Sequence, residues 1–431
     1  MLIARPFARN MRTCCALRKT LYLQPPFPIQ YPERRKAVNI HLAPRRWQGA
    51  VSVPPSKSLA HRHIALAALS PQGGVVELDE ISRDVAATIR AVTALGADIH
   101  QDRNRIHIGA ARTVKTAVID ADESATTLRF FLAIAPALAQ TAVFTGSARL
   151  GQRLGEAGLR TLAEAGVAVE GTGLPLTARG PLRLRKITVD ASKTAQFASG
   201  FLLAALAMPG EVAVEIKRPV SRPYIAMTAE MIRRAGGAIQ TVPGGYIVGD
   251  APLQKIEAKI EGDWSQAAYF YGANALGSSV RVQNIQTDSL QGDRAVGEYI
   301  ETLRAGGAID LTDHPDLFPP LAVVASRFGG KFYGIERLRK KESDRIRTTA
   351  DLLGALGIDC DYTDGIFTVR PGTLRGGTVD ARGDHRIAFS AAMASTAADG
   401  AVVIRGAEAV DKSWPGFFDA VRRLGGKPCT I

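Results

Sequence analysis

The 431-residue sequence predicts an α/β protein of six similar units shared between two lobes, and three observations lead there. Its length, with 46% hydrophobic residues, exceeds what one core usually organises and supports at least two domains. Gly 42 and Pro 23 with only 6% aromatics indicate many tight connections between helices and strands built of small residues. The third observation is a repeat. A helix-like apolar run ends in glycine and enters a β-like segment at Gly96, Gly166, Gly236, Gly306, Gly357 and Gly425, at intervals of 70, 70, 70, 51 and 68 residues. Each run carries apolar residues at helical spacing, such as Ile89, Val92 and Leu95, with Gly where a helix end takes a left-handed residue. Three units per lobe is the simplest partition, with Glu261-Gly262-Asp263 between the third and the fourth. A cleft between such lobes is a common place for a small-molecule site.

Taken in order, the first unit opens with the strand-like Ala50-Val51-Ser52-Val53 and then Pro55-Ser56-Lys57-Ser58-Leu59-Ala60-His61-Arg62, ahead of the apolar Ile64 to Leu69. Hydroxyls, a cation and free backbone donors at a helix start make an anion site, with Arg62 about one turn further on. The same pattern fits a Ser-capped helix with solvated Lys57 and Arg62, and it lacks the glycines of a P-loop. The second unit opens with Ser124-Ala125-Thr126-Thr127-Leu128-Arg129 before Phe130 to Ala139, where capping and anion binding explain the residues equally well. Arg153 and, in the third unit, Gln196 of Ser192-Lys193-Thr194-Ala195-Gln196 are further polar candidates. Units five and six carry Pro315-Asp316, Lys340-Lys341-Glu342-Ser343-Asp344-Arg345, Gly383-Asp384-His385-Arg386 and Asp411-Lys412-Ser413-Trp414-Pro415. Dense mixtures of acids and bases beside apolar helices suit a cleft that neutralises anions and moves protons; solvated ion pairs are the competing account for each cluster alone.

The net charge of +13 suggests an anionic partner, but residues 1–37 hold eight Lys/Arg against Glu33, so +7 of it lies in this leader. The leader reads as a disordered basic extension; its composition also fits a targeting peptide or a start placed too far upstream. Cys14, Cys15, Cys360 and Cys429 show no metal-ligand spacing, which points to a reducing cytoplasm and no bound metal. The longest near-apolar stretches, Phe130 to Ala139 and Phe197 to Met208, fall short of the ~18–20 residues of a membrane span. No nucleic-acid motif or aromatic-basic interleaving is present.

From about Val51 to Phe418 the sequence resembles the 5-enolpyruvylshikimate-3-phosphate synthase family. The resemblance rests on an ordered series: Ser56-Lys57-Ser58 with Arg62; Ser124 to Arg129; Gln196; Ser221-Arg222-Pro223-Tyr224; Glu261-Gly262-Asp263; Leu290-Gln291-Gly292-Asp293; Pro315-Asp316; Lys341 to Arg345; Asp384-His385-Arg386; and Lys412. It implies a two-lobed enolpyruvyl transferase fold, each lobe three α/β units in an inverted-barrel arrangement, joined by a two-stranded hinge. By chain order one lobe combines 38–55 with 262–431, and the other spans 56–261.

The same resemblance implies transfer of the enolpyruvyl group of phosphoenolpyruvate to the 5-hydroxyl of shikimate-3-phosphate by addition and elimination, in a cytoplasmic monomer without cofactor. Shikimate-3-phosphate is expected on Lys57, Ser58, Arg62, Thr194, Gln196, Ser221, Tyr224 and Asp316, and phosphoenolpyruvate on Lys57, Arg129, Arg153, Arg345, Arg386 and Lys412. Lys57, Asp316, Glu342, His385 and Lys412 are the expected catalytic groups. Four departures stand out: Ala125 where the family commonly has Gly, Leu154 for Pro, Gly383 for Asn, and Thr194-Ala195-Gln196 for Ser-Ser-Gln. The Gly matched by Ala125 lines the phosphoenolpyruvate pocket, which glyphosate also occupies, so an added methyl predicts lower glyphosate sensitivity. Three rival readings remain. The related transferase acting on UDP-N-acetylglucosamine commonly carries a loop Cys near the Arg153 region, and residues 144–160 contain none. A non-catalytic anion or nucleic-acid binder would account for the charge, though much of that charge lies in the leader. A catalytically silent relative would have no need of the intact Lys57, Asp316 and Glu342.

Overall fold

A computed structural model describes residues 38–431; the basic leader expected at 1–37 lies outside the described residues. Twelve helices of seven residues or more follow one another among them: α1 (Lys57–Leu69), α2 (Arg83–Ala94), α3 (Ala125–Leu138), α4 (Glu156–Glu164), α5 (Gln196–Ala205), α6 (Arg222–Arg234), α7 (Trp264–Ala275), α8 (Val296–Arg304), α9 (Phe318–Phe328), α10 (Arg345–Ala355), α11 (His385–Ala394) and α12 (Phe417–Arg423). The odd-numbered helices are apolar almost all round and buried along most of their length, as α5 and α11 show. The even-numbered ones are amphipathic and end at the six repeat glycines, which all take positive φ, from 72° at Gly306 to 87° at Gly425. After α2, Gly96 N–H bonds to Thr93 O and Ala97 N–H to Val92 O, which satisfies carbonyls that the helix end leaves open.

Each complete unit places four strands in one sheet around a buried helix. In the second unit Val114–Asp120 runs parallel to Ala139–Thr145, which pairs antiparallel with Leu176–Arg179, and that strand with Ala168–Glu170. The order is repeated by Lys186–Asp190, Val212–Lys217, Gly245–Val248 and Ile239–Val242, and by Ala308–Asp310, Gly330–Tyr333, Ile366–Val369 and Cys360–Thr363. A parallel pair with a helical crossover followed by a hairpin is the βαβ unit that short connections favour.

The two sets of three sheets exchange strands where they meet. Gln48–Val51 pairs with Ser279–Val282, yet it leads into α1 of the other set. Conversely, Ile256–Lys259 pairs with Gly74–Glu77 but leads into α7. The two crossing segments touch: Pro55 and Gly262 form an antiparallel bridge, Ser56 N–H donates to Glu261 O at 2.8 Å and Asp263 N–H to Pro54 O at 2.9 Å. The short 51-residue interval also has a cause. After Gly306 the chain omits the hairpin that follows Gly96, Gly166, Gly236 and Gly357, and Ala308–Asp310 serves at once as the first strand of the next sheet, leaving Gln48–Val51 and Ser279–Val282 as a two-stranded sheet.

Close packing of the buried helices sets what reaches the cleft. A Cβ at Gly200 of α5 would lie 2.9 Å from Arg129 O of α3, so only glycine lets these helices approach so closely. In the other lobe Trp47, Phe270, Phe389, Trp414 and Phe417 form an aromatic cluster, with the Phe389 and Phe417 rings 4.5 Å apart. Among the described residues no helix is long and apolar enough to cross a membrane.

Candidate active site

The charged clusters sit at or just before helix N-termini. Ser56 caps α1 ahead of Lys57, Ser82 caps α2 ahead of Asp84, and Ser124 caps α3 ahead of Ala125. Asp263, Asp344 and Asp384 cap α7, α10 and α11. Helix starts gather uncompensated N–H donors and a positive dipole end, so anionic groups are favoured where they converge.

Arg345 is the hub. Buried to 1% exposure, it places Nε 2.8 Å from Asp384, one terminal nitrogen 2.8 Å from Asp316 and the other 2.6 Å from Glu342. Arg386 lies 2.8 Å from the second oxygen of Asp316. Glu342 continues the network through its other oxygen, 3.2 Å from Lys412 Nζ and 3.5 Å from Arg153, which comes from the opposite lobe. Burial alone would raise Glu342, but Arg345, Lys412 and Arg153 hold its carboxyl well below the usual range. Asp316 is likewise held down against burial, chiefly by Arg386, Lys341 and Arg345. Both carboxylates are therefore ionised at neutral pH.

On the other wall Lys57 Nζ lies 3.1 Å from Asp84. Asp84 is kept ionised against burial by Lys57 and by Lys412 across the cleft. Arg129 donates to Gln196 Oε1 and to Arg153 O, and its Nε has no partner. Burial, and then Arg153, push the Arg129 guanidinium down to about 10. Gln196 in turn donates to Thr126 at 2.7 Å, which ties the starts of α3 and α5 together. Among the described residues no three His, Cys, Asp or Glu side chains are grouped to hold a metal ion.

The EPSP synthase (3-phosphoshikimate 1-carboxyvinyltransferase) family model matches residues 42–421. The chain belongs to the EPSP synthase family. Relatives named 3-phosphoshikimate 1-carboxyvinyltransferase include those of Thermococcus kodakarensis, 34% identical over 88% of this chain and 97% of the relative, and of Clostridium novyi, 32% identical over 90% and 98%. An EPSP synthase structure from Acinetobacter baumannii superposes with a TM-score of 0.74 at 25% identity, covering 91% of this chain and all of that one. The enolpyruvyl transferase NikO from Streptomyces tendae shares the fold, with a TM-score of 0.71 at 17% identity over 92% of this chain and 99% of its own. The fold is the two-lobed enolpyruvyl transferase fold of these neighbours.

Within this EPSP synthase fold, Arg129, Arg153, Gln196, Asp316, Glu342, Arg345, Arg386 and Lys412 are joined by the contacts above, and Lys57 faces them through Asp84, whose charge Lys412 also stabilises. His385 stands beside them, 3% exposed and neutral, because burial and then Lys57 and Arg386 push its imidazole well below the usual range. Arg62 is the residue most committed elsewhere. Its Nε donates to Thr228 at 2.7 Å, and its terminal nitrogens donate to Ser58 O, Ser199 and Tyr224 O, while the guanidinium packs over Phe130. One N–H is left for any ligand. Ser58 and Thr194 are half-buried, Thr194 accepting from Gln196 N–H, and Ser221 is buried next to half-buried Tyr224.

Four groups of the network carry no role that the sequence alone would assign. Asp84 has no signal beyond a Ser-capped helix start, and its pairing with Lys57 is purely spatial. Lys341 and Asp384 stand inside the charged motifs without a distinguishing mark; burial pushes the Lys341 ammonium down to about 8, and Asp384 is wholly buried against Arg345. Arg337, five residues before Glu342, donates to Ser221 Oγ at 2.8 Å. The departure at Gly383 has a backbone reason. Its φ of 68° lies in the left-handed region, where glycine is at ease and asparagine is enriched.

Proposed function

We propose that this chain is a 3-phosphoshikimate 1-carboxyvinyltransferase, transferring the enolpyruvyl group of phosphoenolpyruvate to the 5-hydroxyl of shikimate-3-phosphate with release of phosphate. The observation that carries the reading is the cross-lobe network in which Glu342 faces Arg345, Lys412 and Arg153 together. A carboxylate and two phosphate groups require an excess of cations in one cleft, and Lys57, Arg129, Arg153, Arg345, Arg386 and Lys412 provide it.

The chemistry follows from these charges. In the addition, the methylene carbon of phosphoenolpyruvate takes a proton and becomes methyl, while the 5-hydroxyl oxygen bonds to the neighbouring carbon and loses its own proton. In the elimination, the carbon–oxygen bond to phosphate breaks and the methyl returns a proton, restoring the double bond. Glu342 is the acid and then the base at the methyl carbon. Bound phosphoenolpyruvate would share the cations that hold Glu342 down and add negative charge beside it, raising its proton affinity when a proton is needed. Lys57 and Asp316 serve the attacking hydroxyl, and His385 and Lys412 complete the proton-handling set. Arg129, Arg153, Arg345 and Arg386 grip phosphoenolpyruvate. Ser58, Arg62, Thr194, Gln196, Ser221 and Tyr224 hold shikimate-3-phosphate, and Ala125 borders the phosphoenolpyruvate pocket. Lobe closure strengthens this clamp by excluding water.

The paired crossings at Pro55 and Gly262 support lobe boundaries of 38–55 plus 262–431 and 56–261. In this reading the protein acts as a cytoplasmic monomer on small-molecule substrates, with no nucleic-acid or membrane partner. The test is phosphate release from phosphoenolpyruvate: it should require shikimate-3-phosphate and find no support from UDP-N-acetylglucosamine. Release with the nucleotide sugar alone would overturn the assignment.

A further inference from the structure

Helix α6 begins without a cap of its own. Ser221, its N-cap residue, sits at φ 51° in the left-handed region and makes no side-chain bond to the helix, whereas Ser56, Ser82 and Ser124 cap α1, α2 and α3. The missing acceptor comes from the opposite lobe. Arg222 N–H donates to Asp313 Oδ1 at 3.0 Å, and Arg222 Nε donates to Asp313 Oδ2 at 2.7 Å. The neighbouring backbone is held from the same side: Ser221 N–H donates to Thr312 O at 3.1 Å, and Arg337 donates to both Ser221 Oγ and Thr312 O. A serine in left-handed conformation persists only where its surroundings impose it, and here those surroundings belong to the other lobe.

We propose that Asp313 is a positioning residue for shikimate-3-phosphate: it caps α6 across the cleft and so sets the backbone of Ser221–Tyr224 for the substrate. This rests on the reading of Ser221 and Tyr224 as substrate contacts. The cap, rather than the ion pair, carries the effect. The Arg222 side chain is 69% exposed, where an ion pair contributes little, while the Asp313 side chain is 14% exposed and accepts from the first backbone N–H of a helix whose own N-cap side chain makes no such bond. Because Ser221 Oγ accepts from Arg337, its own hydroxyl hydrogen remains to be donated to a ligand. Lobe contact and substrate binding are thereby joined at one segment.

The test compares Asp313→Ala, Asp313→Asn and Arg222→Ala with the wild type. Asp313→Ala should raise KM for shikimate-3-phosphate roughly five- to tenfold, the scale of a lost helix cap, with kcat and the KM for phosphoenolpyruvate within about threefold. Asp313→Asn keeps an oxygen for the Arg222 N–H, and Arg222→Ala keeps the backbone donor, so both should stay within about threefold of wild type. In the ligand-free protein, hydrogen exchange at the Arg222 and Tyr224 amides should quicken in the Ala variant and remain slow in the Asn variant. Unchanged KM and exchange in Asp313→Ala would overturn the proposal. So would an equal loss for both substrates, or an Asn variant as damaged as the Ala variant. If the wild type releases no phosphate with shikimate-3-phosphate, the functional reading fails, whereas the exchange measurement still decides the cap.

Discussion

Glu342 accepts from Lys412 through one carboxylate oxygen and from Arg345 through the other, and neither contact belongs to a hydrophobic core. Lys57 likewise reaches Asp84 from the first turn of α1 with its side chain 22% exposed. Truncating either residue should spare the fold and, on the proposed mechanism, remove a proton-handling group. Lys57→Ala and Glu342→Ala are expected to lose roughly 10²–10⁴-fold in kcat with circular dichroism unchanged, and wild-type turnover in either would reject the assigned role. Ala125 raises a steric question at the same scale. It is the first residue of α3, half-buried, beside Thr126, which accepts from Gln196. If its methyl narrows the phosphoenolpyruvate pocket against the longer glyphosate, Ala125→Gly should bind glyphosate roughly tenfold more tightly or better, with a smaller change in KM for phosphoenolpyruvate. Equal inhibition constants for the two proteins would sink the steric argument.

Helices α1 to α3 share a buried polar seam. His61 Nδ1 lies 2.6 Å from Thr88 Oγ1, and Thr88 lies 2.7 Å from Thr127, which also meets the cap Ser124. Burial pushes the His61 imidazole down to about 3. As pH falls below about 6.5 the unfolded chain gains this proton and the folded chain does not. The stability linked to His61 is thus fully present above that pH and declines toward pH 3, at up to about 1.4 kcal/mol per unit. Urea unfolding should show it: the drop in stability between about pH 7 and about pH 5.5 should be about 1 kcal/mol smaller in His61→Gln than in wild type. Identical drops would place the acid sensitivity elsewhere. The helix starts around this seam were readable in advance, because Ser56 and Ser124 precede apolar runs and a capping hydroxyl acts within three residues of its own position. The start of α6 was not readable in that way, since its acceptor Asp313 stands 91 residues along the chain.

The whole molecule turns on the two crossings. A Cβ added at Gly262 would lie 2.7 Å from Val53 Cγ2 and 2.9 Å from Asn284 O, beside the bridge to Pro55. Gly262→Ala should therefore cost roughly 1–3 kcal/mol and depress turnover by shifting one lobe against the other. The denaturation midpoint and kcat measure this, and a variant matching wild type in both would show that the crossing yields without cost.

Much of this architecture follows from local pattern. The six glycine stops and the charged motifs at helix starts depend on propensity, capping and periodicity, which act over a few residues and can be read along the chain. Other features depend on which segments become neighbours. Ile256–Lys259 completes a sheet begun at Gly74, the chain omits a hairpin after Gly306, Asp84 meets Lys57, and Arg345 divides itself among Asp316, Glu342 and Asp384. Arg62 belongs with these. Its motif suited a ligand site, yet packing against α5 and α6 assigned four of its hydrogen bonds to the protein itself. Such pairings join residues tens to hundreds of positions apart, and their energies arise from burial and charge in three dimensions, which local periodicity does not encode.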